Sequence, residues 1–86
     1  MKTFHVWIRP SDGNCRVRVE NVLSARWLLD RLSQSFIFKS CEPVREEADS
    51  ACCNFRVMFG SQMSPPLFTR LLAAIPEVNL TLEPAG

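Results

Sequence analysis

The sequence predicts a two-layer α+β sandwich, a mostly antiparallel sheet with two helices on one face, in the order ββαββαβ. Three observations carry this expectation. Apolar and polar residues alternate in short runs, the period-2 signature of half-buried strands. Two segments switch to the i, i+3, i+4, i+7 spacing of an amphipathic helix. Between the runs cluster Gly, Pro, Asp and Asn, which supply the fixed or positive φ of turns. Hairpins whose helices gather on one side leave the other sheet face open.

The elements follow in order. Thr3 to Arg9 sets Phe4, Val6 and Ile8 against His5, Trp7 and Arg9, giving a first strand. Residues 10–14, PSDGN, form a hairpin turn. Cys15 to Glu20 then alternates Val17 and Val19 with Arg16 and Arg18. From Val22 to Gln34 the residues Ala25, Leu28, Leu29 and Leu32 make one helical stripe, with Asn21 or Ser24 as N-cap and Trp27 on the opposite, polar side near Arg31. Phe36 to Ser40 and Asn54 to Phe59 form a hairpin with a connection of about twelve residues, near the upper end of usual loop lengths. Gly60 ends that hairpin. Ser64 and Pro65 are an N-cap and N1 pair for a second helix with Leu67, Phe68, Leu71 and Ile75 on its apolar face, closed by Pro76. Val78, Leu80 and Leu82 form the last strand before a short tail.

From Cys15 onward this order, βαββαβ, resembles the ferredoxin-like arrangement over about four-fifths of the chain. The N-terminal strand is extra to it. At 86 residues the chain reads as one domain. With 47% hydrophobic and 22% charged residues it matches globular proteins and neither disordered nor fibrous ones. No apolar run reaches the roughly 20 residues of a membrane span, and MKTFHVWIRP lacks the apolar core and cleavage site of a secretory signal. A cytoplasmic location is expected, where the four cysteines are free thiols.

The chemistry-bearing residues give mostly exclusions. There is no C-x2-4-C knuckle, and Cys52 and Cys53, being adjacent on a strand, point to opposite faces, so no metal site or cofactor is expected. Glu42, Glu46, Glu47 and Asp49 raise nearby thiol pKa values, which disfavours a thiol switch, and EPVREEAD lacks the glycine turn of a calcium loop. The single histidine, His5, has no G-x-S-x-G partner, and the three glycines form no phosphate loop, so no catalytic residue is assigned.

What remains is the sheet face turned away from the helices. The strand parity places His5, Trp7, Arg9, Arg16, Arg18, Arg56 and Met58 there, with Lys39 joining them. A net charge of +1 makes this a local basic patch on a near-neutral chain. The stretch CNFRVMFG and the element order resemble RNA-recognition-motif domains, a likeness that implies single-stranded RNA on this face. In the register that matches Val57 and Phe59, however, Asn54 and Arg56 occupy the stacking positions and Cys52 and Cys53 replace the basic residue and Gly. The stacking residues of that family therefore do not carry over. The order also resembles ACT-type effector domains, which pair up, without a motif to match.

The expectation is a non-enzymatic binding module that uses this face for a protein partner or for a homodimer, with Trp27 and Met58 as interface residues. The alternatives are single-stranded nucleic acid or another anionic ligand on the basic face, and a small enzyme or thiol switch.

Overall fold

The computed structural model describes residues 2–11, 14–34, 38–41, 45–46, 52–59 and 63–84, with residues 33, 38–41 and 45–46 described by backbone alone. Their elements are β1 (Phe4–Ser11), β2 (Asn14–Val19), α1 (Val22–Ser33), β3 (Phe38–Cys41), β4 (Arg45–Glu46), β5 (Cys53–Phe59), α2 (Pro65–Ala73) and β6 (Val78–Leu82). The order is that of the sequence-based expectation with one addition, β4, inside the long connection. Arg45 and Glu46 pair with Asn54 and Cys53 on the edge of β5 that also receives β3, so β3 and β4 act as one interrupted edge strand. Glu42, Glu47, Asp49 and Gly60 lie outside the described residues.

The strands run β3-β5-β2-β1-β6, with β4 beside β5. All pairings are antiparallel except β1 with β6. In a simple ferredoxin-like sheet β2 and β6 would be neighbours; here β1 lies between them. The hairpin drives that placement. Two residues separate Ser11 from Asn14, so β1 takes the place beside β2 and β6 pairs with the other edge of β1. The link from β5 through α2 to β6 consequently crosses two strands, which seats α2 over β1 and β6 while α1 covers β2, β3 and β5.

The period-2 reading holds through β1, β2 and β5, whereas on β6 Val78 and Leu80 are half-buried and Leu82 is exposed. Phe4, Val6, Ile8, Val17, Val19, Phe55, Val57 and Phe59 are all buried in one core, joined by Cys15 and Cys53 from the same parity. From the helices come Ala25, Leu28 and Leu32, then Phe68, Leu72 and Ile75. Asn21 is the cap of α1: its backbone is extended at φ −155° and its Oδ1 accepts from Ser24 N–H at 2.8 Å. Ser64 occupies the N-cap of α2 in an extended conformation but makes no side-chain cap bond. Pro65 does the starting work, since the N–H it lacks is one a first turn leaves unpaired.

The stripe of α2 is rotated from its expected phase. Leu72 is fully buried, whereas Leu67 and Leu71 each keep 39% of their surface exposed. Phe68 decides the phase: its ring is completely buried and meets Phe59 at 5.3 Å between centroids, which turns the neighbouring leucines outward. After Ala73 the chain turns through Pro76, with Val78 N–H donating to Ile75 C=O at 3.1 Å as β6 begins.

A candidate binding face on the open side of the sheet

Register converts the outward residues into cross-strand rows. Arg9 stands opposite Arg16, and Arg16 opposite Arg56, so three arginines sit side by side across β1, β2 and β5. Strand spacing puts their Cα atoms about 5 Å apart. Glu83 closes one end of the row, with an Oε2 3.9 Å from Arg9 and 3.8 Å from Arg18. Arg16 is exposed and has no carboxylate in ion-pair range among the described residues. Like charges directly opposite one another on a sheet destabilise it. One carboxylate shared between Arg9 and Arg18 offsets part of that repulsion, and exposed pairs of this kind are worth about 1 kcal/mol or less.

The next row is built around Trp7, which faces Thr81 on β6 and Arg18 on β2, with Asn54 beyond. The guanidinium carbon of Arg18 lies 4.5 Å from the centre of the Trp7 ring, a cation–π contact. On the same strand His5 stacks on Trp7 at 4.4 Å and 29°. The His5 Nε2 is 2.7 Å from Thr81 Oγ1, and its backbone N–H donates to Glu20 Oε1 at 3.0 Å. Trp7 is therefore half-buried under protein groups, not a bare platform. Arg18 is half-buried as well, and its Nε is a buried donor without an acceptor among the described residues.

Two shallow depressions mark the face. Arg9, Arg16, Arg18, Asn54 and Glu83 line one of about 180 Å³; Arg9, Pro10, Ser11, Asn14, Arg16 and Arg56 line another of about 140 Å³. Arg9 and Arg16 border both. Each is large enough for a carboxylate or phosphate group. His5 lines neither depression, and its Nε2 meets the Thr81 hydroxyl.

The expected site residues are thus sorted. His5, Trp7, Arg9, Arg16, Arg18 and Arg56 share the open face, and half-buried Met58 lies on it next to the backbone of β3. Lys39 is on β3, and its side chain lies outside what the structure describes. Trp27 is corrected: it is not on the polar side of α1 but half-buried, edge-on to Phe4 at 5.6 Å, with Arg31 5.5 Å from its ring. The indole is wide enough to reach the core from the flank of the stripe. Glu83, Asn54 and Thr81 were absent from the expected set. Asn54 and Thr81 have the outward parity of their strands, whereas Glu83 matters only because β6 lies beside β1.

Burial sorts the three cysteines whose side chains the structure describes, Cys41 lying outside them. Cys15 and Cys53 are fully buried, and Cys52 is half-buried. Burial pushes the Cys15 thiol up to about 11, partly offset by a hydrogen bond from the Arg9 backbone. Among the described residues no three His, Cys, Asp or Glu side chains are grouped to hold a metal ion. Thiol labelling of the native protein should modify Cys52 while Cys15 and Cys53 react only on unfolding, read by peptide mass mapping. Equal labelling of Cys52 and Cys53 would contradict the strand register at that point. No described helix is long and apolar enough to cross a membrane. No protein-family model, no curated protein and no solved structure matches this chain.

Proposed function

We propose that the protein is a non-enzymatic interaction module whose open sheet face binds an acidic segment of a protein partner. The row Arg9, Arg16, Arg56 is the observation that carries this reading. A face kept only for hydration has no need to place like charges in register, since that arrangement costs stability. Carboxylates from a partner would remove the cost and match the planar fork of each guanidinium.

Trp7 argues for protein over single-stranded nucleic acid. Stacking a base on it would displace His5 or Arg18, which already occupy its ring, and Asn54 and Arg56 supply no aromatic in its place. Face-to-face self-association fares no better, because a two-fold axis through the patch would set one arginine row against another. We read the domain as a cytoplasmic one and its sheet as a ferredoxin-like arrangement with β1 inserted between β2 and β6.

The test is fluorescence anisotropy with a labelled glutamate-rich peptide and a single-stranded oligonucleotide of equal length. The peptide should bind at low salt and be released as salt rises, since the contacts are charge pairs at an exposed face. Tighter binding of the oligonucleotide would transfer the face to nucleic acid. Failure of both to bind at low salt would remove the proposal.

A further inference from the structure

The free edge of β6 carries a second surface, independent of the arginine face. Two hydrogen bonds at the ends of the β1–β6 ladder, Phe4 N–H to Glu77 C=O at 2.8 Å and Glu83 N–H to Ile8 C=O at 2.7 Å, set its phase. In a parallel ladder the backbone groups of alternate residues face the neighbour, so Asn79 and Thr81 bond toward β1. Val78, Leu80 and Leu82 turn their N–H and C=O groups the other way, to an edge that no described strand covers. The strand reads VNLTL, without the charge, proline or bulge by which natural sheets protect an edge.

We propose that this edge pairs with the same edge of a second copy, antiparallel about Leu80, to form a two-fold dimer with one continuous sheet. Four of the six hydrogen bonds of that register have donors and acceptors that point to the open edge. Leu80 N–H donates to Leu80 C=O of the partner subunit and the reverse; Leu82 N–H donates to Val78 C=O of the partner subunit and the reverse. The full register would also have Val78 N–H donate to Leu82 C=O of the partner subunit, but that donor is already bonded to Ile75 C=O at 3.1 Å, so the two Leu82 carbonyls remain for water. Side chains match as well. Val78 meets the partner's Leu82 on the helix side, and Asn79 meets the partner's Thr81 on the open side. Glu83, which comes opposite the partner's Glu77, is already held by Arg9 and Arg18.

A strand edge alone buries little, and stable interfaces need about 1,200 Å² or more. Apolar surface is available for the remainder. Of the four large hydrophobic residues exposed among the described ones, Leu23, Leu67, Leu71 and Leu82, three lie on β6 or on α2, which packs over it. Leu82 is 58% exposed although its parity is that of the core. A two-fold axis normal to the sheet would also turn both arginine faces to the same side, giving an acidic partner two sites on one surface.

Sedimentation velocity over micromolar to millimolar protein tests it. Wild type should convert from monomer to dimer within that range. Leu82→Pro deletes a donor that the β1–β6 ladder does not use, and should stay monomeric with an unchanged circular-dichroism spectrum. Should the proline variant misfold, Leu82→Lys places a charge on the same edge and should also stay monomeric. A wild type that is monomeric throughout, or a dimer that survives Leu82→Lys, overturns the proposal. Peptide binding by monomeric Leu82→Lys would leave the arginine-face reading standing on its own.

Discussion

Replacing Phe68 with alanine is expected to cost about 3–5 kcal/mol, the range for a large buried aromatic whose site does not collapse. A chain of 86 residues has roughly 4–13 kcal/mol of total stability, so the variant loses a large share of it. Phe68 is fully buried, and its ring fills the space between α2 and Phe59 at the end of β5. No other described α2 residue meets that strand through its ring, so truncation leaves a cavity between layers instead of a gap at the rim. Leu71→Ala on the same helix, with its partly exposed side chain, should cost about 1 kcal/mol or less. Urea denaturation of both variants gives the comparison, with equal slopes and a far lower midpoint for the phenylalanine change. Comparable losses for the two would mean that α2 presents a different face to the sheet.

That pair of substitutions also shows where sequence reasoning stops. Strand parity was legible because a period of two leaves no freedom: once Phe4, Val6 and Ile8 are inside, His5, Trp7 and Arg9 are outside. A helix stripe is wider. Leu67, Phe68, Leu71, Leu72 and Ile75 are compatible with two phases, and only the contact of Phe68 with Phe59 selects one. Trp27 went astray for a related reason, since position on a helical wheel places a Cα and not the reach of an indole.

Strand order was the larger gap. Nothing local in MKTFHVWIRP states that its strand will separate β2 from β6, because pairing partners are chosen by the whole sheet. With the order hidden, the arginines could be assigned to a face but not to a row, and Glu83 could not be seen as the carboxylate shared by Arg9 and Arg18. The two-residue strand β4 escaped notice because Arg45 and Glu46 are too short a run to show any period.

Reversing the central charge of the row should make the protein more stable and less functional at once. In Arg16→Glu the sequence of charges across β1, β2 and β5 becomes plus, minus, plus, so two repulsive neighbours turn into two attractive ones. Cross-strand pairs are worth about 0.2–1 kcal/mol each, and removing the like-charge cost adds to the gain, so an increase of about 1 kcal/mol is expected at low ionic strength. For a domain of this size that is a rise in melting temperature of about 4–8 °C. Arg16 is the right residue because it is exposed and buries no other group, whereas Arg18 holds the Trp7 ring and Glu83 and would confound charge with packing. The gain should shrink as salt is added, since exposed pairs are screened within a Debye length of about 10 Å at 0.1 M. Affinity for the glutamate-rich peptide should fall by about tenfold, because one exposed attraction is lost and a carboxylate that repels the ligand now sits between both depressions. Thermal melts at low and high salt, run beside the anisotropy titration, separate the two effects. A destabilised Arg16→Glu at low salt would show that the arginines are not in register, and undiminished peptide binding would show that the row is not the site.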